Sequence, residues 1–158
     1  MISHPIPPVF DRHSKILILG SFPSVKSREA LFFYGHPQNR FWKVTSSVFG
    51  TPEPHTIDEK KAFLLSHDIA VWDVIASCDI TGSSDSSIKI VVPNNLSVIL
   101  DVADIHTIFV NGKTAERFYN KYIKDFIKRE AVCLPSTSPA NAAWSLERLV
   151  EAWKVITH

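Results

Sequence analysis

The sequence predicts an α/β domain, a three-layer αβα sandwich on a central four-stranded parallel sheet. Three observations carry this. Short apolar runs such as Lys15-Ile16-Leu17-Ile18-Leu19-Gly20 show no polar alternation, the pattern of strands buried on both faces. Stretches of helical periodicity separate these runs. Strands that alternate with helices imply right-handed crossovers and hence parallel pairing.

The elements follow in order. Residues 1–14 hold Pro5, Pro7 and Pro8 and few periodic apolar positions, which suggests an extended arm across the surface, with the fold starting after it. The first strand is 15–20. Helical periodicity runs from Arg40 to Phe49 and stops at Gly50 and Pro52. A second helix opens at Thr56, where Thr56-x-x-Glu59 forms a capping box ahead of Phe63, Leu64 and Leu65. Ile69 to Val74 is the second strand, and a long polar loop, Ser77 to Ser87, comes after it. A helix over 95–102, a strand over 107–111, a helix over 113–121, a strand over 131–134 and an amphipathic helix over 143–155 complete the chain. All 158 residues form one domain, and 45% apolar content is ample for its core.

Composition excludes several classes. Cys78 and Cys133 are far apart without CxxC spacing, so they build neither a zinc site nor an iron–sulfur cluster. Cys133 reads as a buried core thiol. The seven histidines show no HExxH or HxH pattern, and no metal or cofactor is expected. The absence of GxxxxGK[ST] and GxGxxG disfavours triphosphates and dinucleotides. No apolar run reaches membrane length, which sets the expectation of a soluble, cytoplasmic protein. A net charge of +1 decides nothing about a polyanionic partner, since phosphate contact needs only a local cluster.

Ligands of open parallel sheets bind beyond the carboxyl ends of the strands. Here those ends carry Gly20-Ser21-Phe22-Pro23-Ser24, Trp72-Asp73 with the serine loop, Asn111-Gly112-Lys113, and Pro135-Ser136-Thr137-Ser138-Pro139-Ala140-Asn141. Each alone is an ordinary turn; together they make a rim. Beside them Tyr34-Gly35-His36-Pro37-Gln38-Asn39-Arg40-Phe41-Trp42-Lys43 gathers an amide, a guanidinium and three aromatic rings, which suits a flat polar heterocycle held next to a phosphate. Asn39 is otherwise an Asx-turn residue, Tyr34 a core tyrosine, and Asp73 a solvated strand-end carboxylate.

These segments in combination resemble the uracil-DNA glycosylase superfamily over about the whole domain. The His-Pro-x-Asn-Arg-Phe-Trp segment is similar to that of the mismatch-specific uracil/thymine branch. That branch has Gly-Ile-Asn-Pro in its first motif, with the Asn placing the attacking water, whereas this chain has Gly20-Ser21-Phe22-Pro23. Phe22 cannot hold a water. The full spelling resembles the hypoxanthine-DNA (deoxyinosine) glycosylase branch, in which the catalytic residue is the Asn that falls on Asn39.

The resemblance implies a monofunctional enzyme that hydrolyses the N-glycosidic bond of a deaminated base and leaves an abasic site. Asn39 would hold the water. Gly20, Ser21, Phe22 and Tyr34 would surround the base, Tyr34 by stacking; Asn111 would read it or else cap the next helix. Arg40, Lys43 and Lys113 are candidate phosphate contacts, and Ser136, Thr137, Ser138, Pro139 and Ala140 would press on the DNA, with Ala140 where relatives insert a larger wedge. The expected partner is DNA containing deaminated bases, met by a monomer near the nucleoid. Uracil or xanthine as substrate, a binding module without hydrolysis, and a nucleoside hydrolase are the alternatives.

Overall fold

The computed structural model describes residues 1–157. Strands β2 (Ile16–Gly20), β3 (Ile69–Asp73), β6 (Thr107–Asn111) and β7 (Val132–Leu134) form the expected parallel sheet, ordered β3-β2-β6-β7. Every residue of β2 and β3 is buried, which is why neither shows polar alternation. Helices α2 (Phe41–Phe49), α3 (Ile57–Ser66), α5 (Lys113–Tyr122) and α7 (Leu146–Trp153) are the sheet's principal cover. Trp153 is fully buried, and its indole N–H donates to the Pro135 carbonyl at 2.9 Å.

The capping box at Thr56 is formed: Thr56 Oγ1 accepts from the Glu59 N–H and Glu59 Oε1 accepts from the Thr56 N–H, both at 3.0 Å. These contacts hold the Glu59 carboxyl below its usual range. The final helix starts later than expected, because Ser145 Oγ accepts from the Arg148 N–H and so marks the helix boundary.

Two expectations fail together. Residues 1–14 are not a surface arm: Ile6, Val9 and Ser14 are buried, and Val9 bridges Val71. Strand β1 (Ile2–Ser3) pairs with β4 (Ile75–Asp79), and β4 pairs with β5 (Lys89–Pro93), giving a second, antiparallel sheet ordered β1-β4-β5. The expected loop 77–87 therefore starts as strand, and its serines occupy the tip of a hairpin. A short helix α1 (Val25–Ala30), capped by Ser24, follows the first motif, also unanticipated. The remaining helices are α4 (Ser97–Leu100), shorter than the expected 95–102, and α6 (Lys124–Ile127).

Among the described residues no helix is long and apolar enough to cross a membrane.

The capping box lies on the exposed side of α3, where Glu59 Oε1 also accepts from the His55 N–H at 3.0 Å. Thr56→Ala should lower the urea unfolding free energy by about 1 kcal/mol and leave any activity of the strand-end cleft unchanged.

Candidate functional site

The carboxyl ends of the parallel strands open into a cleft of about 1120 Å³. The pairing register puts Gly20 level with Asp73 and Asn111 level with Leu134, so all four strands end at one height. Of the residues expected from sequence, Gly20, Ser21, Phe22, Tyr34, Asn39, Asn111, Lys113, Ser136, Thr137, Ser138, Pro139 and Ala140 all line it.

Asn39 sits at the end of a turn in which the His36 carbonyl accepts its N–H at 2.9 Å. Its Oδ1 accepts from the Phe41 N–H at 2.9 Å, the Asx arrangement that opens α2. This fixes the amide's orientation while leaving Oδ1 a second lone pair. The turn and the reach into the cleft coexist.

Tyr34 adopts a left-handed backbone (φ 52°), strained for a residue with a side chain. Its ring stacks on Phe41, centroids 4.0 Å apart and planes inclined by 14°. The hydroxyl is buried and has no hydrogen-bond partner among the described residues. Burial, and secondarily the Asp73 charge, push that hydroxyl far above the usual phenol range; the nearby Asn111 amide acts the other way. It remains a protonated donor at any working pH.

Gly20 is required by crowding. A Cβ there would stand 2.4 Å from Asp73 Oδ1 and 3.2 Å from the Tyr34 hydroxyl. Asp73 is not the solvated carboxylate its position suggests, being 4% exposed. Its Oδ2 bonds His4 Nε2 at 2.7 Å. The Ile6 N–H donates to His4 Nδ1 at 3.2 Å, so the proton of the neutral ring lies on Nε2 and is donated to Asp73. His4 also packs edge-on to Phe22, with centroids 5.9 Å apart.

Several expected DNA contacts are corrected. Arg40 is no free phosphate ligand: its guanidinium donates to the carbonyls of Trp144 and Asn141, and its N–H donates to the Thr137 carbonyl at 3.0 Å. A planar fork suits two carbonyls, and here it clamps the last loop to the start of α2. Thr137 is fully buried and cannot press on DNA. Its Oγ1 accepts from Asn111 Nδ2 at 3.0 Å and its N–H donates to Asn111 Oδ1 at 3.1 Å. Asn111 therefore makes a two-bond clasp across the sheet, and the cap of α5 is Gly112 rather than the Asn111 side chain. Lys43 is exposed on α2 and does not line the cleft, which leaves Lys113 as the cleft lysine of the three expected cations.

Ser136 Oγ accepts from the Ser138 N–H at 3.0 Å and Ser138 Oγ from the Ala140 N–H at 3.2 Å, so the loop is braced from within. Ala140 is exposed at its tip. Gly112, at φ +94°, must be glycine, because a Cβ would meet the Ser136 Cβ at 2.9 Å. Cys133 is not a core thiol but half-buried in the cleft wall, where burial, reinforced by Glu116, raises its pKa; Cys78 is the fully buried cysteine.

Sequence reasoning did not assign His4 or Trp144; it placed the serine loop on the rim but named no site residue in it. Trp144 lines the cleft with Arg148 4.1 Å above its ring. Hairpin residues Ser83 to Ser86 form part of the wall, tied back by Arg28 donating to the Gly82 carbonyl at 2.6 Å. Among the described residues no cluster of three or more His, Cys, Asp or Glu could hold a metal ion.

The uracil DNA glycosylase superfamily model matches residues 7–157. A protein named hypoxanthine DNA glycosylase from Methanosarcina acetivorans is 34% identical over the full length of both chains. Another of that name from Methanosarcina barkeri is 32% identical over 93% of this chain and 92% of its own. The solution NMR structure of a Methanosarcina acetivorans protein put forward as a uracil DNA glycosylase superposes with a TM-score of 0.81 at 29% identity, covering all of both chains. The chain belongs to the uracil DNA glycosylase superfamily.

If Asn111 served the base alone, its removal would leave stability unchanged. The clasp predicts otherwise. Asn111→Ala strands the Thr137 hydroxyl and N–H in a buried site and should cost about 1–3 kcal/mol, read by thermal or urea unfolding, with faster proteolysis of the 135–145 loop.

Proposed function

We propose that this member of the uracil DNA glycosylase superfamily excises hypoxanthine from DNA by hydrolysing its N-glycosidic bond. The observation that carries the reading is the Asn39 amide, held in the cleft by the Phe41 N–H with a lone pair of Oδ1 to spare. The full-length relatives that bear the hypoxanthine DNA glycosylase name support the choice of base.

Bond cleavage passes through an oxocarbenium-like sugar and a purine that departs with the bonding electrons. Asn39 Oδ1 accepts a hydrogen bond from a water and aims its oxygen at C1′. As the C1′–N9 bond breaks, the water oxygen bonds C1′, and the water's proton ends on the departed purine. An amide keeps no proton, so Asn39 positions the nucleophile without deprotonating it. Phe22 takes the place of the usual polar residue and offers a flat apolar wall to the flipped base.

The N–H groups of Lys113 and Thr114 at the α5 N-terminus, with the Lys113 ammonium, supply positive potential on the opposite side. They suit the phosphates that flank the flipped nucleotide. Ser138, Pro139 and exposed Ala140 form a blunt, preformed loop against the duplex. A small tip does little to hold base pairs open, which favours lesions that pair weakly.

The test is base release from end-labelled duplexes containing deoxyinosine, deoxyuridine or deoxyxanthosine. Deoxyinosine strands should stay intact until alkali is added, as expected for hydrolysis without a lyase step. Asn39→Ala should lower the single-turnover rate by roughly 10²–10³-fold and unfolding free energy by only about 1 kcal/mol through the lost Asx contact. Equal release by wild type and variant would remove Asn39 from the mechanism. No release from any lesion by folded protein would leave a DNA-binding module on the same fold.

A further inference from the structure

The floor of the cleft holds an unmet donor and an unmet acceptor side by side. The Tyr34 hydroxyl is buried without a partner among the described residues. Asp73 gives Oδ2 to His4, and among the described residues no group donates to its Oδ1. Both atoms crowd the point where a Gly20 Cβ would stand, at 3.2 and 2.4 Å. Native proteins seldom leave buried polar groups unpaired, because each costs a lost hydrogen bond to water. The Tyr34 hydroxyl is such a group, and the Asp73 oxygen beside it, to which no described residue donates, completes a donor–acceptor pair that a ligand of the opposite pattern would satisfy.

We propose that Asp73 and Tyr34 read the Watson–Crick edge of the flipped base, Asp73 Oδ1 accepting the lactam N–H and the Tyr34 hydroxyl donating to the lactam oxygen. The inference rests on the glycosylase reading above and names the pair that sets its specificity. Hypoxanthine presents N1–H and O6 in that order. Adenine, from which it is formed, presents a bare N1 lone pair and an amino group. A carboxylate oxygen facing that lone pair is repulsive, and a hydroxyl that turns to accept from the amino group leaves its own proton without an acceptor, so undamaged adenine is disfavoured. Uracil and xanthine share the lactam pattern. Guanine and thymine share it too and must be turned away by the guanine 2-amino group, the thymine methyl and firmer pairing in the duplex.

This assignment changes how Tyr34 meets the base. One face of its ring is already covered by Phe41. The tyrosine contributes its hydroxyl end to the base, and the flat wall falls to Phe22.

His4 is the positioning residue of the pair. Its Nδ1 accepts from the Ile6 N–H, which holds the ring proton on Nε2 and aims it at Asp73. The consequence for Asp73→Asn is directional. The amide oxygen must turn toward the His4 donor, which places the amide NH₂ where Oδ1 stood and presents a donor to the base.

The experiment measures binding of wild type, Asp73→Asn and Tyr34→Phe to single-stranded oligonucleotides carrying 2′-fluoro-2′-deoxyinosine or 2′-fluoronebularine. The fluorine blocks hydrolysis, and a single strand removes base-pairing energy. Nebularine has the same purine shape with neither O6 nor N1–H. Wild type should prefer inosine by about tenfold or more. Asp73→Asn should abolish or invert the preference. Tyr34→Phe should reduce it while leaving thermal stability equal or higher, since it deletes an unpaired buried hydroxyl; a merely structural tyrosine would show that stability gain with unchanged preference.

Equal binding of the two probes by wild type overturns the proposal, and this arm needs no variant to fold. An unchanged preference in either variant, or a uniform loss on both probes, overturns it as well. Deoxyinosine release by the wild type separates the two levels: with release intact, any of these results sinks the edge-reading pair alone, and with release absent the glycosylase reading itself falls.

Discussion

Four parallel strands that stop at one level are the constraint from which the rest of this molecule follows. Parallel pairing aligns Gly20 with Asp73 and Asn111 with Leu134, so the segments that leave the sheet emerge together on one rim. A sheet buried on both faces cannot place polar chemistry within its strands. Polar side chains collect where the hydrogen-bond ladder ends, and 1120 Å³ of cleft lies there because the crossover helices cover the faces and not the ends. Gly20 and Gly112 serve the same constraint. Each lets a neighbour, the Asp73 carboxylate or Ser136, approach closer than any Cβ would permit.

The polar residues of this rim divide into those that bond one another and those left free. Arg40, Asn111, Thr137, Ser136 and Asn141 spend their hydrogen bonds on holding the loop after β7 against the sheet and α2. These contacts link residues up to 104 positions apart, and they make the loop a rigid wall. A preformed wall lowers the ordering cost of gripping DNA. The Asn39 second lone pair, the Asp73 Oδ1, the Tyr34 hydroxyl and the α5 N-terminus remain unspent. The proposed chemistry draws on that second set, whose small size would limit it to positioning, edge recognition and phosphate contact.

The parallel sheet was legible in the sequence because burial on both faces leaves an unbroken apolar run, and the capping box because its two bonds lie three residues apart. The cleft was legible because strand ends converge whatever the residues between them. The second sheet was not. Strand β1 is two residues long, β4 mixes Ser and Asp with its apolar positions, and the pair between Ile2 and Cys78 has no local signature. Side-chain partnerships fared according to their span. The Asx contact of Asn39 could be foreseen from its turn, whereas a guanidinium clamping carbonyls at 141 and 144, or a histidine at position 4 meeting a carboxylate at 73, depends on the tertiary path. Arg40 in a motif invites a phosphate; only the folded chain shows carbonyls there first.

The proposed reading of the base by Asp73 would bear on rate as well as selection. A departing purine gathers negative charge, and a carboxylate placed beside N1 as proposed would oppose that build-up. On that reading the site would give up part of its transition-state stabilisation to distinguish the lesion from its parent base, and the α5 N-terminus would recover some of it. Such a balance suits a base excised from a vast excess of adenine, where one wrong cleavage damages sound DNA and a slow correct one does not. It would also favour a neutral amide as the group that holds the water. A second carboxylate in place of Asn39 would add a like charge to the same cleft. On the proposed mechanism Asn39 would place the water without that conflict, so the polar residue missing at Phe22 and the carboxylate present at Asp73 would be two sides of one electrostatic arrangement.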